Sequence, residues 1–206
     1  MEPVSSPARK PQPFVRPRTC FGAIFIEAGA EEAILPALWG QDTFIEKAGG
    51  SEIIGQMWAF NDKAGRPCCV IPEATALFQE QNRTLLGPRS SALFFYVARC
   101  YRYERPQAGR YREFTQLGLE ILGPDPQQAL QRSQQICIGF LNSIRLEYEL
   151  NVSVKRGLSY YLEGNGFEVL CPWLGAQQQV VGGGAYREGA GFGIGLERLV
   201  LALQRT

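Results

Sequence analysis

The chain has 206 residues, of which 45% are hydrophobic and 20% are charged, so it can bury a hydrophobic core like an ordinary globular protein. Its 21 basic and 20 acidic residues give a net charge of +1, which excludes RNA binding through bulk positive charge and leaves only a local patch. The sequence contains no histidine, so its chemistry has to rely on arginine, carboxylates and metal.

The cysteines and the apolar segments indicate where the protein resides. No two cysteines have the CxxC spacing, and without histidine a zinc site lacks its usual ligands. We interpret the cysteines as reduced core residues of a cytoplasmic protein; they are Cys20, Cys68, Cys69, Cys100, Cys137 and Cys171. No apolar run is long enough to span a membrane, and no signal-peptide core is visible.

The first 36 residues are predicted to contain an arm, a helix and a strand. Residues 1–18 hold five prolines and several basic residues, which predicts a flexible arm ahead of a single domain over 19–206. The apolar spacing over 20–28 predicts a helix that ends before Gly29. Residues 33–36 then read as a short buried strand that ends at Pro36.

The next segment alternates helices and strands. We predict a short helix followed by a loop over 43–55, then two strands over 57–61 and 67–71 that are joined by a turn. Glu73 follows Pro72 at the end of the second strand, and a helix begins at Thr75 and continues to about Asn82. Glu73 therefore has one simple interpretation, a carboxylate favoured by the dipole of the helix that follows.

Residues 101–123, YRYERPQAGRYREFTQLGLEILG, have the strongest pattern in the chain. A buried strand over 92–100 leads into it, and apolar and charged residues then alternate on both sides of the PQAG turn. This alternation predicts an antiparallel hairpin with a long basic loop. Its many arginines and glutamates suit a site that holds a polyphosphate beside an ammonium group; a solvated surface hairpin is the simpler alternative.

Three further elements complete the chain. A helix is predicted over 126–146, with Asp125 as N-cap and Pro126 as its first residue. A strand follows over 152–156. The glycines at 182–184 permit close approach of a ligand or a strand kink, and the final GFGIGLERLVLAL reads as a glycine-rich strand that continues into an apolar helix.

These segments resemble the three motifs of class II aminoacyl-tRNA synthetases, in the form seen in histidyl-tRNA synthetases. The hairpin resembles motif 2, and the final strand and helix resemble motif 3. The helix, glycine, strand and proline of residues 20–36 resemble motif 1, which builds a homodimer interface. The resemblance covers residues 21–203 and implies an α+β fold with a mainly antiparallel sheet of about six strands, flanked by helices.

The resemblance assigns an ATP site to the two ends of this region. It implies that Arg102 binds the α-phosphate, that Phe114 stacks on adenine and that Arg198 points at the γ-phosphate. Arg110 would contact ATP from the loop, and Glu104 would also hold Mg²⁺. ATP and Mg²⁺ are therefore the expected substrate nucleotide and cofactor.

The resemblance also assigns an amino-acid site. Glu73, in a segment like PEGTA, would contact the α-ammonium group, and Arg156 of RGLSYY would act on the α-phosphate and the carboxylate. Further contacts to the amino acid are expected from Gln116, Glu120, Tyr160, Tyr161, Gly183 and Tyr186. Arg102, Arg156 and Arg198 would form the catalytic set.

The sequence also departs from the family pattern. Thr115 stands where the family usually has histidine, Ser159 replaces an aspartate, and Ala185 and Arg187 replace arginine and aspartate. We expect the last three near the amino-acid pocket, so they count against a simple assignment of histidine, and the resemblance implies histidine or a related amino acid. No residues correspond to the anticodon-binding domain or the inserted domain, so tRNA, a carrier protein or a partner subunit remain alternative acceptors.

Three functions follow from these observations. The first is a ligase of the class II synthetase type that forms an aminoacyl-adenylate from ATP and an amino acid. The second is a non-catalytic histidine sensor, like the regulatory subunit of ATP phosphoribosyltransferase, whose motif 2 often reads REFTQ as residues 112–116 do here. The third is an isolated synthetase core.

Overall fold

The computed structural model describes residues 15–48, 51–105, 107, 109–176 and 178–204. The helices are α1 (Val15–Glu27), α2 (Gln41–Ala48), α3 (Ser51–Gln56), α4 (Thr75–Glu80), α5 (Asn82–Leu86), α6 (Pro126–Ser143) and α7 (Leu196–Leu203), with a short 3₁₀ helix at Pro172–Leu174. The strands are β1 (Glu31–Glu32), β2 (Leu38–Gly40), β3 (Ala59–Asn61), β4 (Pro67–Val70), β5 (Ala92–Tyr101), β6 (Glu113–Leu122), β7 (Glu149–Val154), β8 (Tyr161–Leu170), β9 (Gln179–Tyr186) and β10 (Gly189–Gly195).

The main sheet has seven strands within the described residues, in the order β1-β5-β6-β10-β9-β8-β7. Only β1 pairs in parallel, with β5, and every other pair in this sheet is antiparallel. The prediction of a mainly antiparallel sheet flanked by helices is confirmed, with seven strands instead of about six. Because β10 lies between β6 and β9, the last strand of the chain brings motif 3 beside motif 2.

The hairpin predicted over 101–123 is confirmed. Strands β5 and β6 pair without a register shift from Ala92↔Leu122 to Tyr101↔Glu113. The described residues of the connection, 102–105, 107 and 109–112, form a loop that is closed by backbone hydrogen bonds from Arg102 N to Arg112 O and between Gln107 and Arg110. The uninterrupted register fixes which residues of β6 face the helices and which face the opposite side.

One face of the main sheet is covered by α1 and α6. Phe21 and Phe25 of α1 are fully buried, and their rings contact Phe140 of α6 and, for Phe25, Phe192 of β10. The predicted helix after Asp125 is confirmed: the Asp125 carboxylate accepts the N–H groups of Gln127 and Gln128, and Pro126 is the first helical residue. With the helices on this face, the other face of the sheet is available for a site.

A second, three-stranded sheet in the order β2-β4-β3 lies beside the first sheet. The two strands predicted over 57–61 and 67–71 are confirmed as β3 and β4, which pair antiparallel. Ile71, Ala74, Leu77 and Phe78 form a second core cluster with Phe94 and Tyr96 of β5. This cluster attaches the start of α4 to the open face of the main sheet.

Several local predictions were wrong. Residues 33–36 are not a buried strand: Ala33 and Leu35 pack on the second cluster, but Ile34 is 93% exposed. The predicted loop before 55 contains α3, and the helix predicted from Thr75 to Asn82 breaks at Gln81 into α4 and α5. Helix α1 begins at Val15, so it takes in the end of the predicted arm, and residues 1–14 lie outside the described residues.

None of the helices in the described part of the chain is long and apolar enough to cross a membrane.

Candidate active site

A cleft of about 860 Å³, which includes space open to solvent, lies on the face of the main sheet opposite α6. The start of α4, the hairpin loop, residues 156–161 and the ends of β9, β10 and α7 contribute to its walls. Ten of the sequence-predicted site residues line it: Glu73, Arg102, Glu104, Arg110, Phe114, Gln116, Arg156, Tyr160, Tyr161 and Arg198. Residues far apart in the sequence therefore meet in one place.

Glycines form the floor of the cleft. They alternate with buried apolar residues along β10, where Ala190, Phe192 and Ile194 belong to the core. Because side chains alternate between the two faces of a strand, the intervening glycines face the cleft. A Cβ atom at Gly193 would lie 2.0 Å from Gln116 Nε2, so the Gln116 side chain occupies that space. Long side chains such as Gln116 and Arg156 therefore lie across the sheet at positions where glycine has no side chain of its own.

Arg102 stands where the hairpin loop begins. Its Nε donates to the carbonyl of Pro72 at 2.9 Å, and its guanidinium lies over the Phe114 ring, 5.2 Å from the centroid. The carbonyl of Pro72 orients the arginine, and the aromatic face is an attractive position for its charge. Arg102 and Phe114 are thereby held together as one wall of the cleft.

Arg198, in the first turn of α7, closes the opposite wall. Its Nε donates to the carbonyl of Gly109 at 2.7 Å, and its Nη1 donates to the carbonyl of Gln179 at 2.9 Å. Burial lowers the pKa of Arg198, and the nearby Glu104 carboxylate opposes that shift. Gly109 has φ +75° and packs against the Arg198 side chain, so a left-handed turn lets the hairpin loop approach α7 closely.

Glu104 and Arg110 face each other across the hairpin loop and form an ion pair. The Glu104 side chain is only 8% exposed. Within the described ranges, no three His, Cys, Asp or Glu side chains come together as a metal site. One carboxylate with substrate phosphates is nevertheless a common way to hold Mg²⁺, so Glu104 fits the single ligand that the sequence predicts.

Glu73 is buried, and both of its oxygens are hydrogen bonded. Oε2 accepts from Thr75 N at 2.8 Å and from the Tyr160 hydroxyl at 3.2 Å, while Oε1 accepts from Ala76 N at 2.9 Å. Burial raises the pKa of Glu73, opposed by the Ala76 N–H and by the charge of Arg102. The interpretation of Glu73 as a carboxylate at a helix N-terminus is confirmed, and it lines the cleft at the same time.

Glu120 and Tyr186 lie beneath the cleft and do not line it. The fully buried Glu120 carboxylate accepts from the Thr75 hydroxyl at 2.6 Å and from the Tyr186 hydroxyl at 2.7 Å. Burial raises the pKa of Glu120 to about 8, although both hydroxyl groups act to lower it. Gly183 is also outside the lining, and its hydrogen side faces the Phe167 ring in the core. These three residues support the cleft from below.

Arg156, Tyr161 and Gln116 lie on the glycine floor. The Arg156 guanidinium is 5.7 Å from the Tyr161 ring centroid, and its Nη1 is 3.8 Å from Glu168 Oε2. Gln116 Oε1 accepts a weak hydrogen bond from the Cys100 thiol at 3.4 Å. Burial raises the pKa of Tyr161 to about 12, with Arg156 opposing the shift, so this phenol is a neutral donor at physiological pH.

The departures from the family pattern lie outside the cleft. Ser159 is exposed and its hydroxyl donates to the carbonyl of Lys47, Ala185 is buried in the core, and Arg187 is exposed. None of these three side chains lines the cleft, although Ser159 stands between Leu158 and Tyr160, which do. Thr115 is buried, and its backbone N–H donates a hydrogen bond to the Glu197 carboxylate.

The cleft is also lined by residues that were not predicted as site residues, among them Thr75, Leu158, Gln179 and Glu197. Thr75 links the carboxylates of Glu73 and Glu120 through its N–H and its hydroxyl. Glu197 directly precedes Arg198 in the terminal helix, and this position next to a predicted site residue could have marked it as a candidate. Gln179 carries no signal in the sequence, because its backbone carbonyl, which accepts from Arg198, is a group that every residue has.

Comparison with known protein families gives a match over residues 17–147 to the model described as histidyl-tRNA synthetase. The histidine–tRNA ligase of Methanospirillum hungatei is 26% identical over 262 aligned positions, covering 75% of this chain and 63% of the relative. That of Methanocorpusculum labreanum is 26% identical and covers 88% of this chain and 69% of the relative. The chain thus spans less than two thirds of the Methanospirillum protein, and the 262 aligned positions exceed its 206 residues, so the relative has internal segments without a counterpart here.

Among solved structures, the crystal structure of pyrrolysyl-tRNA synthetase from Desulfitobacterium hafniense superposes with a TM-score of 0.70. The superposition covers 94% of this chain and 70% of that chain at 20% sequence identity. At this identity the similarity establishes the class II synthetase fold.

Proposed function

Because the chain belongs to the histidyl-tRNA synthetase family, we propose that it activates an amino acid with ATP and forms an aminoacyl-adenylate. The observation that carries this proposal is that Arg102, Arg156 and Arg198 line one cleft together with Glu73. Three guanidinium groups suit a triphosphate and a carboxylate, and a glutamate suits an ammonium group. The same cleft thus offers matching charges for both substrates.

The ATP would lie between the hairpin loop and α7. Phe114 offers an aromatic face for adenine, Arg102 the α-phosphate contact and Arg198 the γ-phosphate contact. Arg198 still has Nη2 beyond the two groups that bind carbonyls, and Arg110 can turn from Glu104 to a phosphate. When bound, Mg²⁺ held by Glu104 would neutralise phosphate charge.

The amino acid would lie over the glycine floor. Glu73 and the Tyr160 hydroxyl would orient its α-ammonium group, and Arg156 would orient its carboxylate. An oxygen of that carboxylate attacks the α-phosphorus in line, the bond from this phosphorus to the bridging oxygen breaks, and pyrophosphate leaves. The residues contribute by positioning and by charge neutralisation, so the lack of histidine is no obstacle.

Histidine is the amino acid we propose. The three substitutions that set this chain apart lie outside the cleft, whereas Gln116 and Tyr161 line it and Glu120 lies directly below Thr75. These groups offer donors and acceptors to a polar side chain. The acceptor of the activated amino acid would be tRNA, a carrier protein or a group on a partner subunit.

ATP–pyrophosphate exchange with the full chain tests the proposal. We expect exchange that depends on histidine among the standard amino acids and is abolished by Arg102→Ala. Arg99→Ala is a matched control, because Arg99 is an exposed arginine of the same hairpin that pairs with Glu113 away from the cleft. Unchanged exchange in Arg102→Ala, with circular dichroism confirming the fold of both variants, contradicts the placement of the α-phosphate.

A histidine sensor is the second candidate. It is favoured by the observation that all of the predicted ATP-binding charged groups already have protein partners: Arg102 with Pro72, Arg198 with Gly109 and Gln179, and Glu104 with Arg110. A sensor would bind histidine without exchanging pyrophosphate. Titration calorimetry with histidine alone, beside the exchange assay, separates the two functions.

We also propose a homodimer that buries the region around β1. Ile34 is 93% exposed and Ile26 is 63% exposed, and both lie beside the edge of the main sheet that β1 forms. Such apolar side chains are a reason to bury this edge against a second copy. Analytical ultracentrifugation of the protein and of Ile34→Glu tests this, since the charge should shift the equilibrium towards monomer.

A further inference from the structure

Gly182, in the middle of β9, leaves space that the Arg156 side chain fills. A Cβ atom at this position would lie 2.2 Å from Arg156 Nη2 and 3.0 Å from its Cζ. Contacts under 3.0 Å essentially never occur for a Cβ atom. The guanidinium therefore occupies the volume in which any other residue would have its side chain.

The route of the Arg156 side chain shows how it reaches this position. Arg156 follows the end of β7, and its Cγ and Cδ pass over Gly166 of β8, within 2.6 and 2.8 Å of a Cβ atom placed there. The next position on the same face of β8 is Glu168, which pairs with Gly182. The guanidinium lies above this pair, with Nη1 3.8 Å from Glu168 Oε2.

Position 182 requires glycine because a larger residue would not fit, and not because of its backbone angles. Gly182 is not among the glycines with positive φ, so an alanine could adopt its backbone angles. Glycine inside a strand costs conformational entropy on folding and offers no side chain to pack. What the glycine makes room for is the ends of two side chains, those of Arg156 and Gln179.

We propose that Gly182 is a positioning residue that sets the location of the Arg156 guanidinium in the cleft. The inference rests on the proposed function, in which Arg156 orients the carboxylate that attacks ATP. A methyl group at position 182 lifts the guanidinium off the sheet and away from Glu168. Since a misplacement of about 1 Å can cost about 100-fold in rate, alanine should act almost like removal of the arginine.

Among the glycines of the floor, Gly182 permits the clearest test. A Cβ atom at Gly166 would also lie 2.4 Å from the carbonyl oxygen of Val154, and one at Gly191 would lie 2.5 Å from that of Leu119, so those substitutions disturb the sheet itself. At Gly182 the close atoms belong to the far ends of the Arg156 and Gln179 side chains. Gly182→Ala should therefore fold.

The test is a double-mutant cycle in the exchange assay with Gly182→Ala, Arg156→Ala and the double variant. We expect Gly182→Ala to lower kcat/KM for the amino acid about 100-fold and to cost no further activity in the Arg156→Ala background. Gly139→Ala is the matched control, because a Cβ atom there meets nothing within 4 Å, and it should leave exchange unchanged. Equal losses in both backgrounds would overturn the proposal, because the effect would then not act through Arg156.

A crystal structure of Gly182→Ala gives a second readout that does not depend on activity. We expect the Arg156 guanidinium to leave the space above β9 while the strand stays in register. If β9 shifts and Arg156 keeps its place beside Glu168, the proposal is wrong. An absence of exchange in the unmodified protein would contradict the proposed function, and the crystal structure would still decide the role of Gly182.

Discussion

Both carboxylate oxygens of Glu197 accept the backbone N–H of Thr115, each at 2.9 Å. The pairing of β10 with β6 ends at Gly195, which pairs with Gln116. At the preceding residue of β6, Thr115, the Glu197 carboxylate accepts the N–H in place of a strand partner. Thr115 is 7% exposed and Glu197 is 5% exposed, so this N–H is shielded from bulk water. The contact fixes the start of α7, and with it Arg198, against the strand that carries Phe114 and Gln116.

We expect Glu197→Ala to reduce both stability and ATP binding. Loss of the acceptor leaves a buried N–H unsatisfied, which costs about 1–3 kcal/mol of the free energy of unfolding. Because Arg198 is the next residue in α7, the KM for ATP should rise more than the KM for the amino acid. Urea denaturation and exchange kinetics measure the two effects.

Glu197→Gln is the control for this variant. It keeps one side-chain oxygen as an acceptor, so it should lose less stability than alanine. If glutamine and alanine are equally destabilising, the negative charge of Glu197, and not its hydrogen bond to Thr115, holds α7 in place.

The pH dependence of stability should carry a contribution from Glu120. Its pKa is raised by burial to about 8 in the folded protein, against an ordinary value of 4.5, so the folded state favours the protonated carboxyl. Between these two values the folded protein binds more protons than the unfolded chain, so the stabilisation is complete below about pH 4.5 and is lost as pH rises towards 8.

Glu120→Gln should remove this contribution. The free energy of unfolding of the variant minus that of the unmodified protein should increase by about 1 kcal/mol per pH unit between pH 5.5 and 7.5. Thermal or urea denaturation of both proteins across that range checks this, and the buried Glu73 is present in both. A constant difference between the two proteins would show that Glu120 does not titrate in this window.

Two buried tyrosines near Glu120 should respond in opposite ways to loss of their hydroxyl groups. Tyr96 is fully buried, its ring fills the space above Gly118, and its hydroxyl has no hydrogen-bond partner among the described residues. Tyr96→Phe removes an unsatisfied group and should be neutral or stabilise the fold by about 1 kcal/mol.

The Tyr186 hydroxyl, by contrast, donates to Glu120 at 2.7 Å. Tyr186→Phe should destabilise the protein by about 1–3 kcal/mol, because the buried Glu120 side chain loses a hydrogen-bond partner. Differential scanning calorimetry of both variants at one pH gives the comparison. Equal melting temperatures for the two would contradict the hydrogen-bond assignment at Glu120.

The cap of α6 gives a stability prediction that is independent of the cleft. Asp125→Ala removes the acceptor of the Gln127 and Gln128 N–H groups and should cost about 1 kcal/mol of unfolding free energy. Asp125→Asn retains an oxygen at the same position and should lose only a few tenths of a kcal/mol of unfolding free energy. Neither variant should alter exchange kinetics, because α6 lies on the opposite face of the sheet.

Local signals in the sequence predicted the hairpin that carries part of the site and the helix on the opposite face of the sheet. Alternation on both sides of the PQAG turn predicted the hairpin, and the Asp125–Pro126 pair predicted the start of α6. Both signals act over a few neighbouring residues, so tertiary contacts do not override them. Residues 33–36 were mispredicted because apolar side chains there alternate between the second core cluster and a surface, where Ile34 lies.

The sequence could not predict which site residues line the cleft and which are buried beneath it. Glu120 and Gln116 lie on the same strand and face, yet Gln116 lines the cleft and Glu120 is covered by Thr75 and Tyr186. The covering residues come from α4 and β9, which are far apart in the sequence. Likewise, no local pattern shows that Gly182 faces Arg156, because their contact depends on the register of β8 and β9.

The bare floor of the cleft restricts how this protein can diversify. Every mutation at Gly182, Gly191 or Gly193 adds atoms where Arg156, Glu120 or Gln116 now lie, and none can enlarge the space. A new ligand preference must therefore arise in the walls, at residues such as Leu158 and Gln179. Variant libraries aimed at altered selectivity should keep the three glycines constant and randomise those flanking positions.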